Sequence, residues 1–291
     1  MLIADLKNDI INDFVYFQFQ IMMMRLAGLL SFSIFLLGLG ACNTPRLIFS
    51  KQQTSPIRGD EFYKSVLGKS REDREVAAQN AILTGNIPAS LKRFTPIRID
   101  TIIDGRKYKI KLFVLPDYLS IGNNWNFARI PLTPKTAQKI ADSLHCFLPT
   151  KTIVDYIYQH AKVKLEPVPM YAFRDSSVTM YQHHLIIEGQ RRLRKGLIAG
   201  IKKDVVITSR LESLPAKVAI YGWHKPDGIP IQPLFTGHIW WYVDYSHGIR
   251  LIYEFIRVNG KLLHYTEMLK DKELRKLISD ENEIHFFKYP Y

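Results

Sequence analysis

A chain of 291 residues, 47% of them apolar, is long enough to bury one sizeable core or two small ones. Its 40 Lys+Arg outnumber 27 Asp+Glu, leaving a formal charge of +13 that implies attraction to anionic material. There is no internal repeat and no low-complexity segment, which excludes a repeat array or a biased-composition chain.

Residues 26–42 form an uncharged apolar run preceded by Arg25 and closed by Leu39-Gly40-Ala41-Cys42. A positive residue, an apolar stretch and small residues at its end predict an export leader. A run of about 18 apolar residues also suffices for a membrane anchor; the small residues beside Cys42 favour the leader. Asp5, Asp9 and Asp13 are out of place before such a run, so translation starting at Met22, Met23 or Met24 is expected. Residues 1–41 are therefore read as a signal peptide and residues 42–59, polar with scattered prolines, as a tether. Residues 60–291 are expected to form a single domain.

From residue 60 the pattern is helical, punctuated by Gly68 and Gly85, with Ser70 as N-cap of a helix acidic in its first turn. The period then changes. Residues 96–103 and 107–114 alternate about Asp104-Gly105, predicting a β-hairpin. Thr133-Pro134 opens a helix over 132–146, and Leu148-Pro149-Thr150 caps another over 151–165, with Ile153, Val154, Ile157 and Tyr158 as its buried stripe. A long helix is expected over 178–195. It carries His183 and His184, about 100° apart and so unable to share one site, and ends in a basic run, 191–195, read as a solvated helix end. Strands follow over 204–208, 217–223, 239–245 and 249–258, then an amphipathic helix over 266–281. The order of elements predicts an α+β fold: N-terminal helices and hairpin, a helix pair, then a mostly antiparallel sheet.

Reactive side chains concentrate in residues 217–251, led in by Lys202-Lys203-Asp204. The block holds His224, His238 and His247, Asp227 and Asp244, Ser246 and Arg250, among the aromatics Trp223, Trp240, Trp241, Tyr242 and Tyr245. Three histidines with carboxylates suit a metal or acid–base work near neutral pH. No His-x-x-x-His or His-Glu-x-x-His occurs, so no metal ligands are assigned and the cofactor is left open. A serine route would use Ser246 as nucleophile, His224 or His238 as base, and Asp244 or Asp204 as orienter. His247 is a poor partner for Ser246, since neighbours on a strand face opposite ways. The residue types fit better a hydrolase in which His224, His238 and His247 move protons and Asp204 and Asp244 orient them. Arg250 and Lys203 would then hold substrate charge, while Trp223 and Tyr242 stack on sugar rings. Against this stands a plainer reading, in which the aromatics are core and the histidines are hydrogen-bonded within it.

Three resemblances bear on the chain. Leu39-Gly40-Ala41-Cys42 resembles the lipobox of bacterial lipoproteins, which implies cleavage before Cys42 and its acylation. Cys146 would then stand alone, without a disulfide, as a buried inert thiol. Ser246-His247-Gly248-Ile249-Arg250 resembles part of the L,D-transpeptidase signature Ser-His-Gly-Cys-x-Arg, with His224 in the place of that family's upstream histidine. It departs from that family decisively: the nucleophilic cysteine is missing and one residue is deleted, so that acyl-enzyme chemistry is not available. Over residues 115–251 the chain also resembles a group of exported bacterial proteins of no established activity, through LPDYLSIG, PLTPKTAQKIAD, LPTKTIVDYIY, IKKDVVITSRL, YGWHKPDGIPIQP and YVDYSHGIRL.

The combined expectation is a lipid-anchored cell-envelope protein, a hydrolase of peptidoglycan or an envelope glycan. The alternative is a non-catalytic carbohydrate- or peptide-binding lipoprotein. Its partners would be a membrane, through the anchor, and wall or glycan polymers; export turns the reading away from nucleic acid. A third reading is a structural scaffold. If His224, Asp204, His247 and Arg250 converge within hydrogen-bonding reach in an open cleft, the site readings gain; if they are scattered or buried, the scaffold is favoured.

Overall fold

The computed structural model describes residues 44–49 and 55–291. The leader and the acylation expected at Cys42 lie outside the described residues. Part of the expected tether does not behave as one: Leu47 is buried, its amide donates to the Lys92 carbonyl (3.0 Å), and Arg46 bridges to Arg93. Thr44–Tyr291 forms one compact α+β unit. Among the described residues no helix is long and apolar enough to cross a membrane.

Helices α1 (Gly59–Ser65) and α2 (Arg71–Leu83) flank Gly68, and the Ser70 hydroxyl accepts the Asp73 amide at 3.0 Å, capping α2 as expected. The hairpin of β1 (Thr95–Ile103) and β2 (Arg106–Val114) is paired throughout, from Thr95↔Val114 to Ile103↔Arg106. Asp104 and Gly105 both adopt positive φ, which the tight right-twisted turn requires. After a small hairpin, β3 (Ser120–Gly122) and β4 (Phe127–Arg129), come α3 (Pro134–Ser143), β5 (Cys146–Phe147) and α4 (Lys151–His160), the two helices capped by Thr133 and Thr150. Helix α4 ends earlier than its pattern suggests. Ala161 turns extended and β6 (Val163–Lys164) pairs in parallel with β7 (Ile198–Ala199). Helix α5 (Ser177–Arg191) stops at left-handed Arg192 and Leu193, so the rest of the basic run is not helical.

The C-terminal half departs further from expectation. Strands β8 (Lys203–Val206), β9 (Ala219–His224), β10 (Pro230–Phe235) and β11 (His247–Gly248) make a four-stranded sheet ordered β10-β9-β8-β11. Strand β10, which lacked a clear sequence signal, takes the edge beside β9. The expected strand over 239–245 does not form; that stretch holds only the Lys217↔Ile239 bridge. Its cause is local: the Asp244 carboxylate accepts the amide and hydroxyl of Ser246 (2.8 and 2.6 Å), a side-chain turn that competes with extension.

The run over 249–258 is not one strand either. It crosses from β11 to the first sheet, where β12 (Ile252–Tyr253), β13 (Phe255–Val258) and β14 (Lys261–His264) join β1, β2 and β5. The C-terminal helix is split into α6 (Tyr265–Lys270) and α7 (Lys272–Arg275), because Asp271 caps the amides of Glu273 and Leu274. Nor is the second sheet wholly antiparallel, since β11 runs parallel to β8.

One glycine shows how tightly this junction is packed. A Cβ on Gly248 would lie 2.5 Å from Tyr118 Cε1 and 2.6 Å from Lys202 Cβ, so only glycine lets the Tyr118 ring cross β11. Gly189, exposed in α5, meets nothing within 4 Å. Gly248→Ala should therefore lower stability by roughly 1–3 kcal/mol through overpacking, whereas Gly189→Ala should raise it by about 0.5–1 kcal/mol through helix propensity. Thermal melting of the two variants checks both signs; an unchanged melt for Gly248→Ala would contradict the packing described.

Candidate functional site

The parallel register of β11 on β8 sets His247 beside Lys203 and Gly248 beside Asp204. Side chains alternate across a sheet, so His247 and Lys203 emerge on one face and Asp204 on the other. This separates the expected site residues into three groups.

On the first face stand His247, Lys203, Asp244, Ser246, His238, Tyr242 and Trp223. The His247 ring lies 6.0 Å from both His238 and Tyr242, which are themselves 4.7 Å apart. Lys203 Nζ sits 4.9 Å above the Trp223 ring. Asp244, fully buried, accepts Ser246 on one oxygen and, on the other, Arg174 Nη2 (2.9 Å) and the Tyr242 hydroxyl (3.2 Å). Burial opposes its ionisation, but His247, both Ser246 donors and Arg174 outweigh this and hold the carboxyl down to about 2.

His247, like Asn86 elsewhere in the chain, is buried with every side-chain polar atom unpartnered. It is 1% exposed, and neither ring nitrogen has a hydrogen-bond partner. Burial drives its imidazolium down to about 4, against the pull of Asp244 and helped by Lys203, His238 and Lys202, so the ring is neutral at pH 7. Trp223, under Lys203 Nζ, is also buried with an unpartnered Nε1, and its backbone has φ 57°, a strained value for a bulky residue. Ser246 does not act with a histidine: its hydroxyl donates straight to Asp244, so the expected serine route through His224 or His238 is not assembled.

Behind this face lies a polar cluster that the sequence reading missed. Lys202 is buried, donates to the Tyr245 carbonyl and lies 3.3 Å from His183 Nδ1; burial brings its ammonium down to about 7. Nearby, Arg129 makes a bidentate pair with Asp117 (2.9 and 2.6 Å) and meets Glu188 at 2.8 Å, with His184 Nδ1 against its Nη1. His183 and His184 do diverge, as expected, one to Lys202 and the other to Arg129. Both are nonetheless buried. The signal was present, since Met180, His183, His184 and Ile187 form an i, i+3, i+4, i+7 stripe.

The second group is structural. Arg250 is completely buried, and its Nη1 and Nη2 donate to the carbonyls of Leu115 (2.9 Å) and Ile198 (2.7 Å). Its guanidinium lies 4.1 Å over the Tyr118 ring, and the Tyr118 hydroxyl donates to Asp204 (2.8 Å). Burial lifts Asp204 to about 6, with Arg250 and Tyr118 opposing. The substrate-holding role expected of Arg250 does not fit a guanidinium already committed to two main-chain carbonyls and the Tyr118 ring, nor does Asp204 orient any histidine by a hydrogen bond.

The third group is His224, which pairs through Nε2 with Asp155 of α4 (3.3 Å) and stacks on Tyr158 (ring centroids 4.4 Å apart). Asp155 also accepts the Tyr221 hydroxyl (2.7 Å) and meets Lys151 (3.1 Å). A separate cavity of ≈ 480 Å³ opens here. Asp155 went unnoticed in the sequence because it reads as an ordinary exposed helix position. The expected convergence of His224, Asp204, His247 and Arg250 therefore does not occur. Cys146 is buried, its thiol pushed well up by burial. Among the described residues no group of three or more His, Cys, Asp or Glu is placed to hold a metal ion.

Comparison of the chain with protein-family models, with curated proteins and with solved structures found no match.

The state of His247 makes stability depend on pH. An unfolded histidine titrates near 6.5, well above the folded value of about 4. The unfolded chain therefore binds this proton first: the contribution is intact above pH 6.5 and is lost as pH falls toward 4. The full loss is on the order of 3 kcal/mol. His183, likewise depressed by burial, adds in the same direction, whereas Asp244 loses its contribution only at lower pH still. Asp204 and Glu75, both raised by burial, work in the opposite direction as pH falls through this window, so the comparison with the variant isolates the histidine. Urea midpoints measured from pH 7 to 4.5 should fall more steeply in the wild type than in His247→Gln; parallel profiles would refute a buried neutral His247.

Proposed function

We propose that the protein is a lipid-anchored cell-envelope hydrolase of peptidoglycan or an envelope glycan, with its reacting centre at His247. The observation that carries this is a buried imidazole with both nitrogens unpaired. Buried polar groups are almost always satisfied, and one left open needs a reason; strain of the kind seen at Trp223 also gathers at working sites. In this reading neutral His247 takes a proton from the attacking water. Ionised Asp244 stabilises the imidazolium, and Lys203 offers positive charge to the oxygen on which negative charge develops. The imidazolium then returns the proton to the leaving group. The lipobox-like Leu39-Gly40-Ala41-Cys42 supports membrane attachment, and the basic charge suits anionic wall polymers.

The alternative, a non-catalytic glycan- or peptide-binding lipoprotein, is favoured by one observation. Trp241 and Trp240 present flat faces partnered by Arg71 (4.6 Å) and Lys135 (4.3 Å), a surface suited to stacking on sugars.

Incubation of the purified protein with sacculi, with and without chelator, followed by chromatography of released muropeptides, separates the two. His247→Gln should reduce release by about 10²–10⁴-fold, the usual worth of a general base, with melting close to wild type. His224→Ala should release like wild type, because His224 belongs to the separate Asp155 cavity. Undiminished release by His247→Gln would overturn the assignment; sacculus pull-down by a wild type that releases nothing would favour the binding reading.

A further inference from the structure

A recess of ≈ 370 Å³ lies where the first turns of α2 and α5 meet residues 241–243. Three cations line it, Lys69, Arg71 and Arg74, against the single carboxylate of Asp175. Glu72 pairs with Arg71 (2.6 Å), but from an exposed position outside the lining.

The helix ends add to this field. Both helices are longer than three turns, and first-turn amides have no partner within their own helix. The N-cap hydroxyls answer only part of that need: Ser70 accepts from Asp73, and Ser176 from Thr179. Positive dipole ends therefore point at one space from two directions.

The second, independent observation is Arg74. It is 8% exposed, so its charge is largely removed from water, yet no carboxylate pairs with it among the described residues. Its Nη1 donates to the Asp175 carbonyl (3.1 Å) and reaches the Ser177 hydroxyl (3.4 Å), both neutral. Its Nε has no partner at all. Glu72 and Glu75 lie near enough to feel its charge but neither reaches contact. A buried guanidinium whose hydrogen bonds go only to neutral oxygens is an incomplete ion pair, and an anion in the recess would complete it. Arg71, stacked on Trp241, forms the opposite wall.

We infer that this recess binds a small oxyanion group, a phosphate or a carboxylate, carried by the substrate. Tyr242 connects the two places, since it lines the recess and donates to Asp244 beside His247. The inference thus deepens the hydrolase reading and rests on it for the identity of the ligand's carrier: the substrate is acidic, and its charged group is held next to the bond attacked by the water that His247 deprotonates.

The test uses inorganic phosphate and N-acetylmuramic acid as probes, titrated calorimetrically into the purified protein at constant ionic strength. At least one should bind saturably. Arg74→Met should weaken that binding at least tenfold. Because Arg74 is buried and that variant can lose stability, Ser177→Asp is the companion. An aspartate in the first turn of α5 favours the helix, yet places a carboxylate against Arg74 and fills the site. It should abolish binding while melting at or above the wild-type temperature. Binding unaffected by Ser177→Asp, or no saturable binding of either probe, would overturn the inference, even if the wild type releases muropeptides. Binding lost in both variants, in a protein that releases nothing, would leave the oxyanion site standing and remove the hydrolase.

Discussion

The short parallel pairing of β11 with β8 is the contact on which the rest of the site depends. It consists of two residue pairs, and the Lys203 amide donating to the Ser246 carbonyl (2.8 Å) fixes its start. That register decides which face each reactive side chain takes. A slip of one residue would exchange His247 with Gly248 and bring the imidazole round to Asp204, Tyr118 and Arg250. Two neighbouring features hold the register: the Asp244–Ser246 turn delivers the chain to β11, and Tyr118 closes over Gly248.

The polar interior is of two kinds. Arg250, Arg129 and Lys202 are buried charges answered by carbonyls or carboxylates, and each ties together segments distant in sequence. Removing one partner of such a group leaves an uncompensated charge and is strongly destabilising. They behave as rivets. His247 and Trp223 are buried as well, but no side-chain nitrogen of either is answered, whereas the rivets leave only Arg250 Nε open. The difference between a polar group that fastens the fold and one that waits for something else is visible in this contrast, not in residue type.

Legibility in the sequence followed the range of the interactions concerned. The hairpin of β1 and β2, the Ser70, Thr133 and Thr150 caps and the α4 stripe are set by neighbours within a few positions, and all were readable. The stretch over 239–245 was misread because its alternation of aromatic and polar residues outweighed the turn chemistry of Asp244 and Ser246. Of the site residues expected from the block, His247, His238, Tyr242, Asp244, Ser246, Lys203 and Trp223 do share a face. Asp204 and Arg250 fell away for a reason no linear pattern carries: their partners, Tyr118, Leu115 and Ile198, come from remote segments. Asp155, the partner of His224, was invisible for the same reason.

Gly248 bears on how short motifs are weighed. In the string Ser246-His247-Gly248, the serine closes a turn onto Asp244 and the glycine makes room for an aromatic ring. Both letters would be demanded by architecture even in a chain with no chemistry at all. Only the middle letter lacks such an explanation. A pattern search gives the three equal weight, whereas the fold assigns nearly all of the chemical information to one of them, and two proteins could share this string while having in common only a way of bending a strand.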